Sequence, residues 1–196
     1  MPGGFGTLLQ PVEEHMGKLR ATGLSALLTV LLAGTAFAQN AQTRDGFWIG
    51  GGLGYGSLGL SCDGCADVDR TGGISGYAKL GMTVRPNVLL GVEMNGWTKS
   101  EGDARVTLGN FSGAAYWYPM ATNGLFIKAG AGYSALSADA GTGSATDTGF
   151  GLLGGVGYDI RMGRNMSITP VANYFRGGFD GGSANVLQIG VGVTSH

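Results

Sequence analysis

Few residues of this chain combine a reactive type with a useful spacing. The first candidate is Cys62-Asp-Gly-Cys65, which holds the only two cysteines among 196 residues. A C-x-x-C step can be a redox dithiol, half of a metal site or a local disulfide. Ala66 follows where c-type haem attachment needs His, and no second pair completes a zinc site. In an oxidising compartment a disulfide pinning its loop is the favoured reading, ahead of free thiols and of redox or metal chemistry. Asp63, Asp67 and Asp69 offer a weak cation site, or simply keep the same loop solvated. The run Gly149-Phe-Gly-Leu-Leu-Gly154 matches the dinucleotide pattern by letters. That pattern works only where a strand turns into a helix whose N-terminus meets a pyrophosphate, and here Gly155, Gly157 and Tyr158 continue an extended segment. Nucleophilic hydrolysis needs Ser, His and an acidic group brought together. The two histidines are His15 and His196, and His196 adjoins Ser195 with no acidic residue in its segment. No catalytic, cofactor-binding or metal-ligating set is expected.

A second constellation is wider. Lys79, Arg85, Glu93, Asn95, Lys128, Asp159, Arg161, Asn173 and Gln188 stand in stretches where polar and apolar residues alternate with period two. In a strand, that period puts them on one face and the aliphatic residues on the other. Between Gly73 and Arg85, for example, Ile74, Ala78, Leu80, Met82 and Val84 oppose Ser75, Tyr77, Lys79, Thr83 and Arg85. The same alternation marks eight strands, beginning at Gly46, Gly73, Val88, Ala104, Leu125, Phe150, Met166 and Leu187. The period slips in the fourth, so a bulge is expected near Asn110 or Ser112. Pro170 removes a ladder donor from the seventh.

The segment before these strands decides where they fold. Met16-Gly-Lys18-Leu-Arg20 is followed by an uncharged stretch from Ala21 to Ala33 and by Ala36-Phe37-Ala38. A positive start, a short apolar run and an A-x-A site make a secretory signal peptide, cleaved after Ala38. A membrane anchor helix would need about 20 apolar residues, more than this run has. Residues 1–38 are therefore an N-terminal extension and signal peptide, residues 39–45 a linker and residues 46–196 the folded domain. Twelve basic against 13 acidic residues give a net charge of −1, without the basic face that nucleic-acid binders carry.

If the exported chain enters a membrane, only a closed barrel satisfies its strand backbone there. Three features favour that over a soluble sandwich. Tight connections at Arg85-Pro-Asn87, Pro119–Gly124 and Met162–Asn165 alternate with longer ones at Ser61–Gly72, Ala138–Asp147 and Arg176–Ala184, the short Lys99–Asp103 step excepted. Outer-membrane barrels show that asymmetry. Two aromatic girdles are expected: Phe47, Trp48, Tyr116, Trp117, Tyr118, Phe126 and Tyr158 at the tight-turn end, and Tyr55, Trp97, Tyr133, Phe150 and Tyr174 at the other. Charges within strands lie opposite aliphatics, and inward Gly81, Gly91, Gly130, Gly151 and Gly155 leave room for large side chains in a narrow interior.

With its signal peptide, eight alternating strands, hairpins such as Leu80-Gly-Met-Thr-Val-Arg-Pro-Asn-Val and the final strand Gln188–His196, the chain resembles the small outer-membrane β-barrel family of the OmpA/OmpX type over nearly all of residues 46–196. The resemblance implies an all-β, eight-stranded antiparallel up-and-down barrel in the bacterial outer membrane. It also implies outer-membrane lipid as solvent, export and barrel-assembly machinery as transient partners, a monomer and no cofactor. The favoured function is a non-enzymatic structural or surface-interaction role, with loops meeting the environment. A narrow channel and a lipid-modifying enzyme are the alternatives. The polar inner residues would line a solute path in a channel, or pair into a packed network because unpaired charges away from water are costly; eight strands favour the packed network.

Overall fold

A computed structural model describes residues 44–62, 69–140 and 143–196; the signal-peptide reading and Cys65 lie outside them. The chain forms strands β1 (Phe47–Cys62), β2 (Thr71–Arg85), β3 (Val88–Glu101), β4 (Ala104–Trp117), β5 (Leu125–Ala140), β6 (Gly143–Tyr158), β7 (Ile160–Arg161), β8 (Met166–Phe179) and β9 (Gly182–Ser195). Each pairs antiparallel with its neighbour. β1 pairs with β9 from Ile49↔Ser195 to Cys62↔Gly182, which closes the sheet. β6 and β7 act as one strand interrupted at Asp159, so the ring has eight members. Pairing with β8 runs to Gly157↔Val171 and resumes at Ile160↔Ile168. Pro170 falls inside this gap, where no ladder donor is required.

The alternation read from sequence holds on both faces. Leu53, Ile74, Leu80, Met82, Leu90, Met94, Ile127, Leu152, Ile189 and Val191 are exposed on the outside, a continuous apolar surface that a water-soluble protein does not leave open. Inside lie Trp48, Tyr77, Trp97, Tyr116, Phe126 and Phe175 with the polar residues. Glycines make these rings fit: a Cβ on Gly81 would stand 2.1 Å from the Leu90 carbonyl and 2.7 Å from Trp48, and one on Gly155 2.8 Å from the Lys128 side chain.

Four expectations are corrected. Arg85 is exposed at the end of β2, because the register with β3 shifts between Thr83 and Arg85 and breaks its inward parity. The slip expected near Asn110 or Ser112 is absent: β4 pairs without interruption on both sides, and Asn110 and Ser112 are inward polar residues in step with Leu108 and Tyr116. Trp48, Trp97, Tyr116, Tyr118 and Phe126 are buried inside the ring rather than in a girdle, because adjacent residues of a strand point to opposite faces. Phe47 and Trp117 at one end, and Tyr55, Tyr133, Phe150 and Tyr174 at the other, remain outside. Finally, two of the three segments counted as long loops on their Gly, Ser and Asp content, Ala138–Asp147 and Arg176–Ala184, are mostly strand, while residues 63–68 of Ser61–Gly72 lie outside the described residues. Ala138 pairs with Ala145 and Arg176 with Asn185, and Gly102 and Gly181, at φ of 59° and 85°, close two-residue turns. Strands of 14 to 16 residues exceed the roughly 9–11 that cross a bilayer, so these hairpins project beyond it.

Candidate functional site

The inner face is organised in layers along the ring axis. At its centre Glu93, on β3, is fully buried. It accepts a hydrogen bond from Lys128 Nζ at 2.6 Å, one from Asn95 Nδ2 at 3.1 Å and one from the Tyr116 hydroxyl. Asn173 Nδ2 donates to Asn95 Oδ1 at 3.3 Å and to Gln188 Oε1 at 2.8 Å, so β3, β5, β8 and β9 are tied through one polar chain. Three donors, one of them a lysine at 2.6 Å, offset part of the cost of burying either charge. Lys79, opposite Glu93 in register, sits 5.1 to 5.7 Å from the ring centres of Phe126, Tyr116 and Trp48. Such cation–π contacts suit a desolvated ammonium group.

Toward the tight-turn end, Asp159 accepts from Tyr118 at 2.8 Å and from Thr169 at 2.7 Å, and His196 Nε2 lies 3.7 Å away. The Arg44 guanidinium stacks 3.6 Å above the Tyr118 ring and donates to the carbonyls of Ala121 and Asn123. Arg161 is buried at the same end. Arg44 and the Asp159–His196 approach were not legible in the sequence. The acidic partner that His196 lacked in its own segment comes from the break between β6 and β7, 37 positions earlier in the chain by residue number. Ser195 ends β9 paired with the outward Ile49 and Met166, whereas the His196 side chain is buried beside Asp159, so Ser195 and His196 face opposite sides.

Toward the hairpin end the inner face turns apolar. Leu58, Trp97, Leu108, Phe175, Ala184 and Val186 are buried together, and Val106, Leu136 and Phe179 pack on them. Trp97 satisfies its indole N–H on the Gly56 carbonyl at 3.0 Å. Of the nine polar residues read as inward, all but Arg85 are buried within the ring. Cys62, at the rim, is disulfide-bonded; Cys65 lies outside the described residues. The Gly149–Gly154 run lies within β6, with no helix after it among the described residues. No group of three or more His, Cys, Asp or Glu side chains positioned for a metal ion occurs among the described residues.

A closed ring of eight antiparallel members, apolar outside and polar or aromatic within, is the geometry of an outer-membrane barrel. The family profile described as "Outer membrane protein beta-barrel domain" matches residues 25–194. The chain belongs to this outer-membrane β-barrel family. Its place is the bacterial outer membrane. Among solved structures, this barrel is similar to Ail, the attachment invasion locus protein of Yersinia pestis, with a TM-score of 0.56 and 12% identity over 76% of this chain and 99% of that one. It is also similar to Neisserial surface protein A, with a TM-score of 0.58 and 16% identity over 78% of this chain and 97% of that one. At such identities the likeness is one of fold. No curated protein matches the chain in sequence.

Proposed function

We infer that this outer-membrane barrel is a non-conducting, non-enzymatic surface protein whose projecting hairpins meet the environment. The observation that carries the reading is the filled interior: a paired Glu93–Lys128–Tyr116 core beneath the apolar layer of Leu58, Trp97, Leu108, Phe175 and Val186. A permeant ion would have to break a buried ion pair and then cross an apolar layer, and both are costly. The names of the two structural relatives, an attachment invasion protein and a surface protein, agree with an outward-facing role. An acyl-transfer role through Ser195 is disfavoured, since Ser195 faces the opposite side from His196, and the Thr169 hydroxyl donates to Asp159. The barrel works as a monomer in this reading, reaches the membrane through export and barrel-assembly machinery, and loses residues 1–38 on the way.

Planar-bilayer recording on the purified protein tests the reading. Current indistinguishable from bare lipid is expected. Stable unitary steps at neutral pH would replace it with the narrow-channel reading, in which the same polar residues line the path.

A further inference from the structure

Two arginines at the hairpin end stand apart from the other cations there. Arg176 of β8 faces outward opposite Asn185 of β9 and donates from Nη2 to Ser183 Oγ at 3.1 Å. Arg70, just before β2, lies back across β1. Its Nε donates to Ser57 Oγ at 3.1 Å, its Nη2 to the Ser57 carbonyl, and its Nη1 to Asn185 Oδ1 at 2.8 Å. Gly59 is its seat, since a Cβ there would come within 2.5 Å of Arg70 Nη1. Gly59 pairs with Asn185, and Asn185 with Arg176. With neighbouring strands about 4.8 Å apart, the two guanidinium groups flank the same stretch of β9.

Their surroundings separate them from ordinary surface charges. Lys99 forms an ion pair with Glu101, and Arg105, which donates to Ser100 Oγ at 3.1 Å, has the acidic Asp139 across from it in register. Arg70 and Arg176 are exposed, and among the described residues their hydrogen-bond partners are neutral. One step toward the bilayer centre the outward residues are Tyr174 and Leu187, then Ile189 and Tyr55, all exposed. The pair therefore sits at the upper border of the apolar belt, held in place by neutral hydrogen-bond partners. A guanidinium fork matches phosphate oxygens two at a time, and the aromatic and leucine surface directly below suits acyl chain.

We propose that Arg70 and Arg176 hold the phosphate of a phosphorylated glycolipid headgroup in the outer leaflet, with its acyl chains lying on Tyr55, Tyr174 and Leu187. This inference depends on the hairpin end facing outward and is independent of whether the lumen conducts, so the recording above cannot decide it. Native mass spectrometry of the purified full-length barrel, titrated in detergent with bis-phosphorylated lipid A, tests it. One lipid is expected to be retained. Arg70→Gln with Arg176→Gln should weaken retention roughly tenfold, the order expected for lost charge-assisted hydrogen bonds, while Arg105→Gln should leave it unchanged; a gel-mobility shift on heating shows that each variant is folded. Dephosphorylated lipid A should not be retained, and neither phosphatidylglycerol nor millimolar inorganic phosphate should displace the bound lipid. Equal retention by the folded double variant overturns the proposal, as does equal loss in Arg105→Gln. Retention of dephosphorylated lipid A overturns it too, and displacement by phosphatidylglycerol or free phosphate points to an unselective or soluble anion instead.

Discussion

Glu93 shows how one residue holds several strands. Its carboxylate is shared by Lys128, Asn95 and Tyr116, so removing it strands a buried ammonium group and two further polar groups. Glu93→Gln should lower stability by about 3–5 kcal/mol, the cost of breaking a buried pair from one side. Glu93→Gln together with Lys128→Met should recover most of that loss, because no charge is then left alone. Urea unfolding in lipid vesicles, followed by the fluorescence of buried Trp48 and Trp97, measures both; equal loss in the single and double variants would count against the pairing. At this scale the sequence was informative about parity and silent about partners. Lys79, Glu93, Asn95 and Lys128 were readable as inward because each alternates with aliphatics. Lys128 and Glu93 lie on β5 and β3, however, which are not neighbours in the sheet, and no local pattern encodes a contact made across the interior. Arg85 was misread for a related reason: parity is counted along one strand, while the shift that turned it out lies between two.

At the scale of the strand, facing is the quantity under test. Leu80 is on the outside of β2, and its partners Ile49 and Val92 are apolar too. Leu80→Arg places a charge against hydrocarbon near mid-strand and should cost about 2–4 kcal/mol. Ser75, buried on the opposite face with no hydrogen bond from its hydroxyl, should tolerate Ala with little change. The folded fraction on a heat-modifiability gel after refolding into vesicles compares them, and similar losses would mean that the face is wrongly assigned. Strand existence was clear from sequence wherever aliphatics alternated, as in β2, β3 and β9. Strand length was not. Ala138–Ala140 and Gly143–Asp147 carry small and acidic residues of low strand propensity, yet they pair with each other across the hairpin, and Ala138–Ala140 also pair with β4. Aromatic placement failed similarly, because Trp48 and Phe47 are adjacent in sequence and opposite in space.

At the scale of the whole molecule, a closed ring should keep its shape in detergent until boiled, and the unboiled protein is expected to run faster on a denaturing gel than the boiled one. Cys62→Ser should leave that shift intact, since Cys62 lies at the rim and every ring pairing is made by backbone; loss of the shift would make the rim bond a requirement for closure. Membrane class and ring size were legible from strand count and alternation. The filling of the interior was not, because it depends on which glycines face which rings. The seam between β1 and β9 has a kinetic consequence. Its two edges are the most distant pairing partners in the folded chain, and distant contacts form slowly. Until they meet, each edge offers unsatisfied amide groups to the bilayer, which tolerates none. Partial assemblies therefore have no resting place within the lipid, and the ring is stable there only once its seam has closed.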